Sequence, residues 1–196
     1  MNVTVYEINK LPVAVIDNFY NEDELDAIWS ETNFLNRDDK LLLPSVTGAA
    51  KDGDEYKKRG HGLFLYGLYN DAEKNSEIVK CSKKIFSIAD ELIDYHYFFR
   101  YIKDSEKDDV LLNYYENADY YKSHTDQSTV SCISWLHKEP KGYLGGDMIL
   151  NKNFPISCLN NRVIVFPSII EHEVTEVKMK TEESGYGRYS IVHFIT

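Results

Sequence analysis

Cysteine is scarce in this 196-residue chain. Cys81, Cys132 and Cys158 are odd in number and show no CxxC spacing, which excludes a disulfide framework and a zinc knuckle. Long apolar runs are missing too: stretches such as Val163 to Phe166 are far too short to span a bilayer. The opening residues, Met1 to Glu7, have neither the basic nor the apolar region of a secretory signal, so a soluble cytoplasmic protein without membrane contact is expected. Positive charge is in deficit, with a net charge of −10, which disfavours binding to a phosphate backbone. The cluster Lys57-Lys58-Arg59 lies among Asp52, Asp54 and Glu55 and reads as a solvated loop. Nucleic acid is therefore not an expected partner. There is no internal repeat and no low-complexity tract.

What is present is an ordinary globular composition, 43% apolar and 28% charged, with 15 Tyr and 9 Phe. One domain over residues 1–196 is the expectation for this length. Val3 to Tyr6 and Val13 to Ile16 read as short strands. Asn21-Glu22-Asp23-Glu24 then supplies cap chemistry for a helix with Leu25, Ile28 and Trp29 on one face. From Arg37 to Gly62 no period survives among four glycines and mixed charges, which reads as a long loop over a cavity, a lid. Ser76 to about Tyr97 reads as a second helix with a stripe from Ile78 to Ile93. After Asp108 the texture is strand and turn. Val110–Tyr115, Thr129–Leu136, Met148–Leu150, Arg162–Phe166, Glu173–Val177 and Arg188–Ile195 are β-like runs. The order implies an α+β chain: helical support and lid over 1–107, then a sandwich or jelly roll over 108–196.

Three short segments of that β-rich half carry chemistry: His124-Thr125-Asp126, Glu171-His172-Glu173 and Arg188-Tyr189-Ser190. Residues two apart on a strand share a face, so His124 and Asp126 can chelate one ion. Intervening strands can return His172 to the same place. Two imidazoles and a carboxylate leave three open octahedral positions, which suits Fe(II) that must bind a cosubstrate and dioxygen together. The His-x-Asp pair alone is weak, because chance supplies one in about every second chain of this composition. The ordered combination is what carries the signal.

Tyr115 to Asp126, Cys132 to Leu136, Gly142 to Asp147, Arg162 to Pro167 with His172, and the closing Arg188-Tyr-Ser-Ile together resemble the prolyl 4-hydroxylase-like group of Fe(II)/2-oxoglutarate-dependent dioxygenases. The resemblance implies a double-stranded β-helix with N-terminal helices packed on it. It implies metal ligands His124, Asp126 and His172, with Arg188 gripping the distal carboxylate of 2-oxoglutarate, and Ser190 could donate to that same carboxylate. Tyr115, with Tyr114 as the alternative, would reach the cosubstrate, and Tyr121 would line the substrate pocket. Trp135 stands where many relatives place a tyrosine that bonds the distal carboxylate. His172 and Arg188 lie farther apart than is usual, through a hairpin at Lys180 to Gly187. Gly145 and Gly146 would let backbone approach the cavity.

The implied cofactors are Fe(II), 2-oxoglutarate and O2, with ascorbate as reductant. The implied reaction hydroxylates a C–H bond, foremost of a peptidyl proline, and releases succinate and CO2, with a peptide or protein as substrate. The alternatives are the same chemistry on a free amino acid, another side chain or a nucleobase, and a silent jelly-roll module that only binds a metal or ligand. Oligomeric state is not legible in the sequence.

Overall fold

The computed structural model describes residues 1–37 and 40–196. Strands β1 (Asn2–Ile8) and β2 (Leu11–Asp17) open the chain and are joined by Asn9 and Lys10, both at positive φ. Two such residues make the tight turn whose twist suits a hairpin. Helix α1 (Glu22–Arg37) follows. Asn21 and Glu24 each accept the other's backbone N–H at 2.8 Å, a reciprocal cap that fixes where the helix begins.

Next come α2 (Pro44–Thr47), β3 (Lys51–Asp52), β4 (Glu55–Tyr56), β5 (Lys58–Arg59) and β6 (His61–Phe64). The helical stretch after them is α3 (Leu65–Leu68), α4 (Ala72–Asn75), α5 (Glu77–Ser82), α6 (Lys84–Ser87), α7 (Ala89–Tyr95), a 3-10 turn at Tyr97–Phe99, and α8 (Arg100–Asp104). The remaining strands are β7 (Asp108–Tyr115), β8 (Tyr120–His124), β9 (Val130–Leu136), β10 (Tyr143–Gly145), β11 (Met148–Leu150), β12 (Phe154–Ile156), β13 (Arg162–Pro167), β14 (His172–Val174), β15 (Val177–Met179) and β16 (Arg188–Ile195). No described helix is long and apolar enough to cross a membrane.

Two antiparallel sheets form the double-stranded β-helix. The larger has the order β1-β2-β13-β9-β16-β7-β6, and the smaller β12-β11-β14-β8-β5. The inner strands of the larger sheet, β2, β13, β9, β16 and β7, are largely buried on both faces, which is why they read as nearly continuous apolar runs. On β13, Val163 and Val165 face the helices with Ile28, Leu35, Val79 and Leu92, whereas Ile164 and Phe166 face the sandwich interior with Trp135 and Met148. β16 alternates likewise. Tyr189 and Ile191 pack toward the helices. So does His193, which the Phe86 ring meets edge-on and whose Nε2 lies 2.6 Å from Asp108. Arg188, Ser190 and Val192 line the interior cavity.

Two expectations need correction. The helix expected from Ser76 to about Tyr97 is broken into α5, α6 and α7. Its start is as expected, with Ser76 Oγ accepting from Val79 N. At Lys83 and Ile88, however, the chain tightens into i−3 contacts such as Phe86 N to Lys83 O. Val79 to Ile85 is not a helical interval, so these breaks let Ile78, Val79, Ile85, Ala89 and Leu92 all stay fully buried. The second correction concerns Arg37 to Gly62. Asp38 and Asp39 lie outside the described residues, but much of the remainder is paired rather than loose. β5 adds to the smaller sheet beside β8, and β6 to the larger beside β7, so residues 58–64 clasp both sheets.

One carboxylate ties α1 to the helices that follow. Glu31 accepts from Ser76 Oγ, Ile78 N and Tyr69 Oη, each at 2.8 Å. Glu31→Ala leaves these donors without their acceptor and is expected to lower stability by about 1–3 kcal/mol. Urea unfolding checks this, and an unchanged midpoint would remove the role given to Glu31.

Candidate active site

The site begins with a register. β14 pairs with β8 so that His172 lies directly across from His124, and the two rings approach to 4.2 Å between centroids. Both are buried. Asp126, expected to share a strand with His124, instead follows the end of β8, where its N–H donates to Ser168 O at 3.1 Å. The bend still brings its carboxylate to the histidines, with Oδ1 3.8 Å from His124 Nε2 and Oδ2 3.5 Å from His172 Nε2. One donor atom from each of the three residues lies within 4.8 Å of the other two, a set that could hold a metal.

The protonation of the imidazoles follows from their other nitrogen. His124 Nδ1 lies 2.9 Å from Lys122 O, and His172 Nδ1 lies 2.9 Å from Ile170 O. A carbonyl can only accept, so each Nδ1 carries a hydrogen and each Nε2, turned toward Asp126, is the atom that could meet a metal. Burial, then the proximity of His172, holds His124 far below its ordinary pKa, at about 3, so it is neutral at physiological pH. Ser131 Oγ donates to Asp126 Oδ2 at 2.5 Å, and Ser168 joins Ser131 to Ser128 at 2.8 Å each. Two imidazole nitrogens and a held carboxylate are a donor set that fits Fe(II). The sequence did not name these supporting partners. Yet alternation on β9 puts Ser131 on the interior face with Ile133 and Trp135, which is a usable signal.

A cavity of about 500 Å³ runs inward from these residues and reaches Arg188 on β16. Arg188 is 1% exposed, with Nε donating to Gly146 O at 2.7 Å and a terminal nitrogen to Ser190 Oγ at 3.3 Å. Tyr115 lies across the ladder from Arg188, and its ring is 5.0 Å from the guanidinium. Gly146 has φ +71°, and a Cβ there would fall 2.7 Å from Arg188 Cδ. Only glycine lets the backbone come this close to the arginine.

Tyr121 also lines the cavity. Its ring stacks on His124 at 3.5 Å between centroids, and its hydroxyl accepts from Ala50 N at 2.9 Å. Tyr114 is placed elsewhere: it packs on Tyr189 in the helix-facing core and bonds Glu116, Gly185 and Gly187. It thereby anchors the Lys180 to Gly187 turn and does not line the cavity. Trp135 is fully buried behind Arg188, 5.9 Å from the guanidinium carbon, and is likewise not a cavity wall. Lys58, read from sequence as part of a solvated loop, is only 5% exposed and does line the cavity. Its charged neighbours in sequence hid the alternation of β5, which turns Lys58 inward and Arg59 outward.

Residues 110–196 match the family model described as the 2OG-Fe(II) oxygenase superfamily. The C-terminal part of the chain is thus similar to a 2OG-Fe(II) oxygenase domain. No curated protein sequence matches this chain. Solved structures with its fold include a Pseudomonas putida prolyl-4-hydroxylase, 14% identical, with a TM-score of 0.61 over 93% of this chain and 91% of that one. A Trichoplax adhaerens prolyl hydroxylase, in complex with a hypoxia inducible factor peptide fragment, is 14% identical with a TM-score of 0.63 over 93% and 82%. The carbocyclase SnoK from nogalamycin biosynthesis is 8% identical, with a TM-score of 0.53 over 93% and 79%. The fold is thus common to prolyl hydroxylases and to an enzyme acting on quite different chemistry.

Gly146→Ala is expected to push Arg188 out of place without touching the three potential ligands. Iron content by metal analysis should stay at the wild-type level while the 2-oxoglutarate concentration for half-maximal turnover rises at least about tenfold. Unchanged cosubstrate dependence would show that the close approach at Gly146 does not position the arginine.

Proposed function

We propose that this 2-oxoglutarate-dependent oxygenase binds Fe(II) through His124 Nε2, Asp126 and His172 Nε2, and hydroxylates a C–H bond of a peptide substrate, foremost a prolyl residue. The observation that carries the reading is the pair of Nδ1–H bonds to Lys122 O and Ile170 O. They leave two imidazole Nε2 atoms facing one carboxylate in a cavity that also reaches a buried arginine. The bound iron, with O2, supplies the oxidising power, coupled to decarboxylation of 2-oxoglutarate to succinate and CO2.

The protein's part is positioning. Arg188 offers a planar fork for the distal carboxylate, and Ser190, already bonded to it, holds the guanidinium in place. Tyr115 supplies an aromatic wall beside that carboxylate. Tyr121 keeps the His124 ring from turning and closes the cavity toward Ala50. Residues 47–50 roof the cavity, and a substrate would enter beside them. The whole chain acts as one oxygenase domain in this reading, with ascorbate serving as reductant.

The choice of proline is supported by the prolyl hydroxylases that share the fold, one of them holding a peptide. The breadth of the fold keeps a non-proline substrate as the second reading, and the observation favouring it is the likeness to the carbocyclase.

The test has two stages. Anaerobic protein with Fe(II) and 2-oxoglutarate is expected to show the weak visible charge-transfer band of a chelated α-keto acid, lost in His172→Ala. Succinate release with ascorbate is then followed over a panel of proline-containing peptides, each paired with its alanine counterpart. Stimulation by the proline member alone supports a prolyl substrate. A band with no peptide stimulation would move the activity to another substrate, and absence of the band would sink the metal assignment.

A further inference from the structure

One buried cation has no part in the chemistry described above. Lys58 reaches the cavity from β5, the two-residue strand that joins the covering segment to the smaller sheet opposite Tyr121. Its Nζ donates to Asn113 Oδ1 at 2.5 Å and stands 5.6 Å from the Tyr115 ring centre and 6.0 Å from that of Tyr121. The Arg188 guanidinium lies 5.0 Å from the centre of the same Tyr115 ring. Asn113 and Ser190, the side chains that these two cations contact, face each other directly in the β7–β16 ladder. Lys58, Arg188, Asn113, Ser190 and Tyr115 all line one cavity.

An ammonium group has three hydrogens to donate, and Asn113 takes one. Among the described residues neither Lys58 nor Arg188 enters an ion pair. Burying a cation without a counter-charge is costly, and two of them around one ring make the cost mutual. Burial first, and Arg188 next, push the Lys58 pKa down to about 7. Such an end to a cavity is a receptor waiting for an anion. A dianionic oxo acid chelated at the metal by its keto-acid head has a second carboxylate to place inward.

We infer that Lys58 is a second cation for the distal carboxylate of the cosubstrate, acting with Arg188 and delivered by strand β5. The inference rests on the reading of this site as a 2-oxoglutarate site. It gives the covering segment a direct stake in cosubstrate binding. Lys57 N bonds Ala50 O, and Lys122 N bonds Lys57 O, so a carboxylate held by Lys58 braces β5 and the roof at residues 47–50 together.

The test is anaerobic calorimetry on the Fe(II)-loaded protein with two ligands. One is 2-oxoglutarate; the other is 2-oxopentanoate, which keeps the chelating head and ends in a methyl group. Lys58→Met retains the buried stem and removes the charge. The expected result is a loss of about tenfold to a hundredfold in 2-oxoglutarate affinity with 2-oxopentanoate affinity unchanged. Unchanged 2-oxoglutarate affinity would overturn the inference and move Lys58 toward an anionic group of the substrate. An equal loss for both acids would overturn it as well, by showing a merely structural effect. If wild-type protein bound neither acid, the reading of the site would fall along with the inference; wild-type binding that ignores Lys58 removes the inference alone.

Discussion

Everything at the centre of this protein depends on the pairing of β14 with β8, which sets His172 across from His124. Strand side chains alternate between faces, so a slip of one residue would turn one imidazole out of the cavity and the other away from it. The register is held on both sides. β14 is also paired with β11, Leu150 against His172, and β8 is also paired with β5. Within the pair a bulge follows His172, so that Val174 meets Tyr121. That irregularity lets Tyr121 stack on the His124 ring while His172 stays in line.

The second constraint is electrostatic. Each histidine has its Nδ1 against a carbonyl two residues upstream, an arrangement repeated on two different strands that turns both Nε2 atoms toward Asp126. The carboxylate among them is braced by three serines. At the inner end the cavity buries positive charge against aromatic faces and neutral acceptors. A cavity with a candidate metal site and buried cations along one wall suits a ligand that is anionic at both ends. The β-helix makes this polarity affordable by placing apolar packing on the other face of the same strands.

Much of this was legible in the sequence because it rests on short-range pattern. Most strands from Asp108 onward show as β-like runs within a residue or two, but the short β8, β10 and β12 show none of their own, and Glu173–Val177 divides between β14 and β15. The three potential ligands and Arg188 stand in order within short motifs of the β-rich half. What stayed hidden depends on tertiary context. Lys58 looked solvated because its neighbours are charged, and only pairing with β8 shows that it points inward. Tyr114 and Tyr115 are indistinguishable as a dipeptide, and the face that each takes is decided by the register with β16. The helix breaks at Lys83 and Ile88 follow from the surface of the sheet below, and local propensity gives no sign of them.

The central claim is that one iron ion sits between His124, Asp126 and His172. X-ray absorption fine structure of the Fe(II)-loaded protein counts coordinated imidazoles directly. The account predicts two imidazoles in the wild-type protein and one in His124→Gln, with the oxygen shell retained. A wild-type spectrum without imidazole scattering, or one unchanged by His124→Gln, would contradict it.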